Sequence, residues 1–207
     1  QILDHRPYER MLNTVSKILK KTDHNFELID LGGGMGITYS DKNKKLNYKK
    51  YNLEIKKILK SYKVKIIFEP GRSIIGNTGF LISKIIYIKP NEKKDFVILD
   101  TGMNDLMRPA LYGAKHRIIP VNKTKKISNA TYEFVGPICE SSDKFSNQKK
   151  FSKIKEGDYV GITQVGAYGM SLSSNYNTRP TIAEVMVNGS KHKLIKKRQS
   201  LENLVNN

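Results

Sequence analysis

Among 207 residues the sequence holds a single cysteine, Cys139. An internal disulfide is therefore excluded, and a reducing compartment is favoured. Histidine is nearly as scarce: His5, His24, His116 and His192 are scattered, and none stands at metal-ligand spacing. No metal site is expected. No apolar run approaches the ~20 residues of a membrane span, and no signal-peptide pattern opens the chain. A cytoplasmic location without a membrane partner is the expectation. Acids are few, 19 against 37 lysines and arginines, which leaves a formal charge of +18. Such an excess suits nucleic acid or an anionic surface. Here, however, it is almost all lysine, spread through loops and helix faces beside many asparagines, with no dense arginine block and no RNA-binding aromatic signature. The densest patch, residues 42–50, reads as a solvated loop and helix start. A Lys/Asn-rich compositional bias explains the charge better than nucleic-acid binding does. The 38% hydrophobic content and mean hydropathy of -0.50 describe a soluble globular protein long enough for a real core.

Periodicity divides the chain in two. Residues 4–21 predict a helix, with Pro7 in its first turn, an apolar stripe of Met11, Leu12, Val15, Ile18 and Leu19, and lysines at its C-terminal end. A short strand over 27–31 empties into Gly32-Gly33-Gly34-Met35-Gly36. Tyr48, Tyr51, Ile55, Ile58, Leu59 and Tyr62 then recur at helical spacing before a buried strand over 64–68. Helix, strand, glycine loop, helix, strand, glycine loop is the signature of parallel βα units. From Gly79 onward the pattern is of short β-rich runs, at 80–89, 96–100, 117–121, 132–135, 159–165 and 181–187, with no long helical stripe between them. A last strand near His192 and a short helix from Ser200 close the chain. Two or three βα units cannot close a barrel or cover both faces of a parallel sheet. Gln1-Ile2-Leu3 also begins as though leaving a preceding strand. The chain reads as the later part of a larger protein.

The stretch that organises the reading is Phe68-Glu69-Pro70-Gly71-Arg72. Proline fixes the backbone, Gly71 lets another group approach it closely, and Arg72 can hold a phosphate or carboxylate with two parallel hydrogen bonds. Glu69 stands where a strand end points a carboxylate into a pocket. The same five residues would also suit an ordinary strand-to-turn junction with a surface ion pair. A glycine run after a strand frees N–H groups to converge on an anion. Gly32, Gly33 and Gly34 follow the preceding strand, so in a parallel barrel both loops open on one rim and make a phosphate cradle. Neither loop is a Walker loop or a dinucleotide fingerprint. Downstream, Arg108 and Tyr112 join a fixed cation to a phenol; the bland alternative is a surface arginine beside a half-buried tyrosine. Cys139, flanked by acids and serines, is a candidate exposed thiol able to move a proton, against the alternative of a small core hydrophobe. Tyr168 lies between small residues that leave its ring accessible, unless it serves core packing.

Taken together, DLGGGMGITY at 30–39, EPGR at 69–72, DTGMNDLMRPALY at 100–112, GPICESSD at 136–143, GAYGMSLSSNYN at 166–177 and RPTIAEVMVNG at 179–189 resemble the C-terminal half of the diaminopimelate decarboxylase family, of the alanine-racemase-like fold class. The resemblance covers nearly the whole chain in order. It implies the C-terminal part of a (β/α)8 barrel that binds pyridoxal 5'-phosphate, residues 1–78, then a β-barrel or sandwich domain with a final short helix, residues 79–207. It further implies that Gly32, Gly33, Gly34 and the turn of Pro70, Gly71 and Arg72 hold the cofactor phosphate, and that Glu69 faces the pyridine nitrogen. Arg72, Arg108 and Tyr112 would grip the distal end of the substrate, Glu140 would pair with its distal ammonium, Cys139 would reprotonate the α-carbon, and Tyr168 would touch cofactor and substrate. In this family Cys139 and Glu140 enter the opposite subunit's site, so a homodimer is implied. The implied reaction is decarboxylation of meso-2,6-diaminopimelate to L-lysine. Ornithine, arginine or carboxynorspermidine decarboxylation, or a non-catalytic homologue, is the alternative. The family's Schiff-base lysine and ring-stacking histidine lie upstream of anything present here, and Gln1 corresponds to the last residue of its His-Ile-Gly-Ser-Gln segment. These 207 residues alone are therefore expected to bind the cofactor poorly and not to turn over.

Overall fold

In the computed structural model, which describes residues 1–39, 45–122 and 126–206, the chain parts into two units, Gln1–Thr78 and Gly79–Asn207. The first is built on two helices. Helix α1 spans Arg6–Lys21, with Pro7 in its first turn and the Arg6 N–H donating to Asp4 Oδ1 at 3.0 Å. Helix α2 spans Tyr48–Leu59 and starts at Asn47, whose Oδ1 accepts the Lys50 N–H at 3.0 Å. Tyr8 and Leu12 on α1 face Tyr51, Ile55 and Leu59 on α2, one residue per turn on each side. The Tyr8 and Tyr51 rings stack with centroids 4.2 Å apart, and Leu31, Met35 and Leu46 complete this core. The apolar stripe of α1 thus begins one turn earlier than the sequence suggests, and Ile18 at its far end is 57% exposed. Of the lysine-rich stretch 42–50, residues 42–44 lie outside the described residues, and Lys49 and Lys50 sit in the first turn of α2.

Strands β1, Leu28–Asp30, and β2, Lys65–Ile67, pair in parallel with Ile29 opposite Ile66. Ile2 adds a single parallel bridge to Met35: its N–H donates to the Gly34 carbonyl at 2.8 Å, and its carbonyl accepts from Gly36 at 3.0 Å. The expected buried strand over 64–68 needs correction. Lys65 is exposed, Ile67 is 41% exposed and Phe68 37%. The apolar run is there, but among the described residues the sheet has two strands and its faces are only partly covered. After β2 the chain turns into a four-residue helix α3, Arg72–Ile75.

The second unit is a six-stranded sheet of β3 (Phe80–Lys89), β4 (Asp95–Leu99), β5 (Ile118–Pro120), β6 (Tyr132–Val135), β7 (Lys144–Gln148) and β8 (Tyr159–Thr163), in the order β5-β8-β3-β4-β6-β7. All neighbours are antiparallel except β4 and β6. Alternation along β3 sends Leu81, Ser83 and Ile85 inward and leaves Phe80, Ile82 and Ile86 exposed. The inner face packs Ile85, Val97, Leu99, Leu106, Phe134, Val160 and Ile162, all at 0% exposure. Helix α4, Arg108–Tyr112, is stopped by Gly113 at φ +60°. A hairpin of β9 (Glu184–Asn188) and β10 (Lys191–Lys196) turns at Gly189, also at positive φ. Helix α5, Leu201–Val205, follows Ser200, whose hydroxyl accepts the Asn203 N–H at 3.0 Å. Among the described residues no helix is long and apolar enough to cross a membrane.

Candidate active site

Parallel pairing in register sends the chain out of β1 and β2 at the same end of the sheet, so the glycine loop and the Glu69–Arg72 turn are neighbours. The Leu31 N–H donates to the Ile67 carbonyl at 3.0 Å and the Glu69 N–H to the Gly32 carbonyl at 2.9 Å. Contact is backbone against backbone at Gly33, where a Cβ would lie 2.2 Å from the Glu69 carbonyl oxygen. Only glycine fits there. Gly32 and Gly34 take φ of +66° and +82°, and Asp30 Oδ1 accepts the Gly32 N–H at 2.8 Å. The loop is anchored from below by the buried Tyr8, whose hydroxyl donates to the Gly33 carbonyl at 3.2 Å. Burial beside Tyr51 pushes the Tyr8 phenol up to about 12, so it remains a donor through the neutral range.

The turn has its own support. The Gly71 N–H donates to the Glu69 carbonyl at 3.0 Å, and the Gly71 carbonyl accepts from Ile74 at 3.1 Å. Nothing lies within 4 Å of where a Gly71 Cβ would be, so the space beside its main chain is open. The Glu69 carboxylate side is exposed. Arg72 donates through Nη1 to the Tyr39 hydroxyl at 2.7 Å and lies 5.9 Å from that ring's centroid. Gly32, Gly33, Gly34, Glu69, Pro70, Gly71 and Arg72 thus form one cluster. Tyr8 and Tyr39 hold it through their hydroxyls. Tyr8 lies four residues before Leu12, so continuing the helical spacing backwards would have found it.

In the second unit the loops are organised by carboxylates. Asp105 Oδ2 accepts from the Thr101 hydroxyl and the Gly102 N–H, both at 3.0 Å. Asp143, 2% exposed, accepts the Met103 N–H on Oδ1 at 2.7 Å and the Ile138 N–H on Oδ2 at 2.9 Å. It thereby ties the loop carrying Cys139 and Glu140 to the turn after β4. Gly136 makes room for it, since a Cβ there would stand 2.1 Å from Asp143 Oδ2. Burial pushes the Asp143 carboxyl upward, and the two N–H donors and the Arg179 charge partly offset this. Cys139 itself is exposed. Glu140 Oε1 accepts a short hydrogen bond from the Tyr176 hydroxyl, and that bond raises the tyrosine's pKa. Arg179 reaches Asn104 Oδ1 through Nε at 3.1 Å and the Asp100 carbonyl through Nη2 at 2.5 Å.

The alternative of a surface arginine beside a half-buried tyrosine is reversed at Arg108 and Tyr112. Arg108 is 7% exposed and Tyr112 67% exposed. Arg108 Nη1 lies 3.0 Å from His116 Nε2, and His116 Nδ1 lies 2.9 Å from the Thr163 carbonyl. Tyr168 is 46% exposed and left-handed at φ +61°, followed by Gly169, where a Cβ would stand 2.4 Å from the Val165 carbonyl. Core packing therefore does not account for its ring. His116 meets Arg108, Asp143 holds the loop of Cys139 and Glu140, and Tyr176 bonds the Glu140 carboxylate; of these three only Asp143 lies within three residues of a side chain it serves.

Residues 11–166 match the family model of the pyridoxal-dependent decarboxylase C-terminal sheet domain, and the chain belongs to that family. Within it the similarity narrows to diaminopimelate decarboxylases. The Zymomonas mobilis diaminopimelate decarboxylase is 44% identical over 209 aligned residues, covering 99% of this chain and 49% of that protein. Among solved structures, AQ1208 from Aquifex aeolicus superposes with a TM-score of 0.92 at 39% identity, over 100% of this chain and 52% of that one. Diaminopimelate decarboxylase from Helicobacter pylori in complex with L-lysine gives 0.87 at 38% identity, over 100% and 51%. The chain spans about half the length of the curated relatives it matches.

Proposed function

We propose that the protein carrying this chain decarboxylates meso-2,6-diaminopimelate to L-lysine with pyridoxal 5'-phosphate. The observation that carries this reading is the juxtaposition of the triple glycine and the Glu69–Arg72 turn, held by the Glu69-to-Gly32 hydrogen bond at 2.9 Å. The identity to diaminopimelate decarboxylases supports the substrate, as does the lysine complex of the Helicobacter pylori relative. The residues fit the cofactor: the Gly33 backbone tolerates no side chain, the space beside Gly71 is open, and Arg72 brings a fixed cation. Gly32, Gly33, Gly34, Pro70, Gly71 and Arg72 would hold the phosphate, Glu69 the protonated ring nitrogen, and Tyr168 the ring region. When bound, pyridoxal phosphate supplies the electron sink for the pair left by departing carbon dioxide.

The other roles belong to side chains of this chain. Arg72, Arg108 and Tyr112 bind the distal carboxylate and Glu140 the distal ammonium, so the substrate's far end is read as a zwitterion. Tyr176 holds the Glu140 carboxylate by its hydroxyl. Cys139, exposed on a loop that Asp143 anchors, delivers a proton to the α-carbon. A homodimer in which Cys139 and Glu140 serve the partner's site, a cytoplasmic location, and residues 1–78 as barrel and 79–207 as β-domain belong to the same proposal. Assaying the full-length protein on diaminopimelate and ornithine side by side tests it. Release of carbon dioxide and L-lysine from diaminopimelate is expected; preference for ornithine, or turnover of neither, would overturn the substrate assignment.

A further inference from the structure

The geometry assigns His116 a role in the site: we infer that it is a positioning residue that fixes the guanidinium of Arg108 by accepting its hydrogen bond. The inference rests on the reading that Arg108 grips the distal end of the substrate. An arginine carries donors only, so the 3.0 Å contact between Arg108 Nη1 and His116 Nε2 requires Nε2 to accept. The other ring nitrogen, 2.9 Å from the Thr163 carbonyl, then carries the proton, since a carbonyl can only accept. One tautomer satisfies both contacts, the neutral imidazole protonated at Nδ1. A cationic imidazolium would set an N–H against an N–H and one positive charge against another.

The arrangement has the features of a support rather than of a chance contact. Arg108 is 7% exposed and His116 is 3% exposed, so the bond is shielded from water. Arg108 opens α4 and His116 lies beyond its C-terminus, past the left-handed Gly113. Thr163 ends β8, which is paired on both sides, with β5 and β3. The guanidinium is therefore linked through the imidazole to the main chain of the sheet. A planar cation that must meet a carboxylate with two parallel bonds gains from having its plane fixed beforehand. A neutral acceptor fixes it without cancelling the charge that the substrate needs.

The experiment uses the full-length enzyme loaded with pyridoxal phosphate. His116→Leu keeps most of the bulk of the side chain and removes the acceptor, while His116→Gln keeps an acceptor near the position of Nε2. His116→Leu is expected to raise KM for diaminopimelate about tenfold or more, with kcat changed by less than about threefold. His116→Gln is expected to recover most of that loss. Should the Leu variant not fold, His116→Asn, which stays polar but ends short of Arg108, takes its place with the same expectation. Equal damage in the Gln variant and in the Leu or Asn variant, or no rise in KM in either, would overturn the inference. Arg108→Ala run beside them separates the two levels. If it leaves KM unchanged, the substrate role of Arg108 itself is wrong; if it raises KM and His116→Leu does not, only the role of His116 falls.

Discussion

Replacing Gly33 by alanine would place a methyl group 2.2 Å from the Glu69 carbonyl oxygen, where ordinary contact begins at 3.4 Å. The obstacle is backbone, so no side chain can swing aside. The glycine loop and the Glu69 turn must part by roughly 1 Å, as overpacked segments do. That stretches the 2.9 Å bond from the Glu69 N–H to the Gly32 carbonyl out of range. Losing the bond costs ~1 kcal/mol and the strain adds ~1–3 kcal/mol. Against the ~5–15 kcal/mol of a typical domain this lowers the melting temperature without preventing folding. Gly71→Ala is the instructive contrast. At φ -75°, with nothing within 4 Å of the new methyl, it meets no strain in the cofactor-free protein. The methyl would instead occupy the space assigned to the cofactor phosphate. Calorimetry of the cofactor-free full-length protein at fixed concentration and spectroscopic titration with pyridoxal phosphate read the two effects separately. Gly33→Ala should lose both melting temperature and affinity. Gly71→Ala should keep its melting temperature and lose affinity by about tenfold or more, as expected when charge-assisted hydrogen bonds are displaced. A Gly71→Ala protein that binds the cofactor like the wild type would refute the cradle, and an unaltered melting temperature for Gly33→Ala would refute the close approach.

Cys139→Ala in the full-length enzyme should lower kcat by ~10²–10⁴-fold while KM changes little, because a positioned proton donor is lost; an unchanged kcat removes Cys139 from the chemistry. Asp143→Asn turns an amide N–H toward either Met103 or Ile138, whose N–H groups the carboxylate now accepts, and should cost ~1–3 kcal/mol by thermal melting. A melting temperature equal to wild type would show that the Cys139 loop does not depend on that clamp. The Tyr8 phenol, raised by burial from 10.0 to about 12, keeps its proton in the folded state at pH values where the unfolded chain has lost it. Its contribution is therefore complete below pH 10.0 and is lost as pH rises toward about 12. Tyr8→Phe should flatten that part of the stability profile, and an identical slope in the variant would argue against it.

The elements that sequence reveals are those with a period. Alternation in β3 and the one-per-turn spacing of Tyr51, Ile55 and Leu59 in α2 are carried by local residues, and both elements form where that spacing places them. β7 was invisible because Lys144–Gln148 is polar apart from Phe145, its one buried apolar side chain, on a strand at the sheet's edge. The helix α4 is five residues long, too short to show a helical repeat. The motif residues of the site stand out as types, but their supports do not. Arg108 is buried against His116, whose ring in turn meets the Thr163 carbonyl, 47 residues beyond the histidine. The reason for Gly33 lies in the backbone of Glu69, visible only once β1 and β2 are in register.

The central claim concerns where a phosphate sits, and a structure of the full-length protein with pyridoxal phosphate measures it directly. The phosphate is expected within hydrogen-bond distance of the main-chain N–H groups of the 32–34 loop and of Gly71 or Arg72. A phosphate bound elsewhere, with those two loops in contact only with solvent, would contradict the assignment.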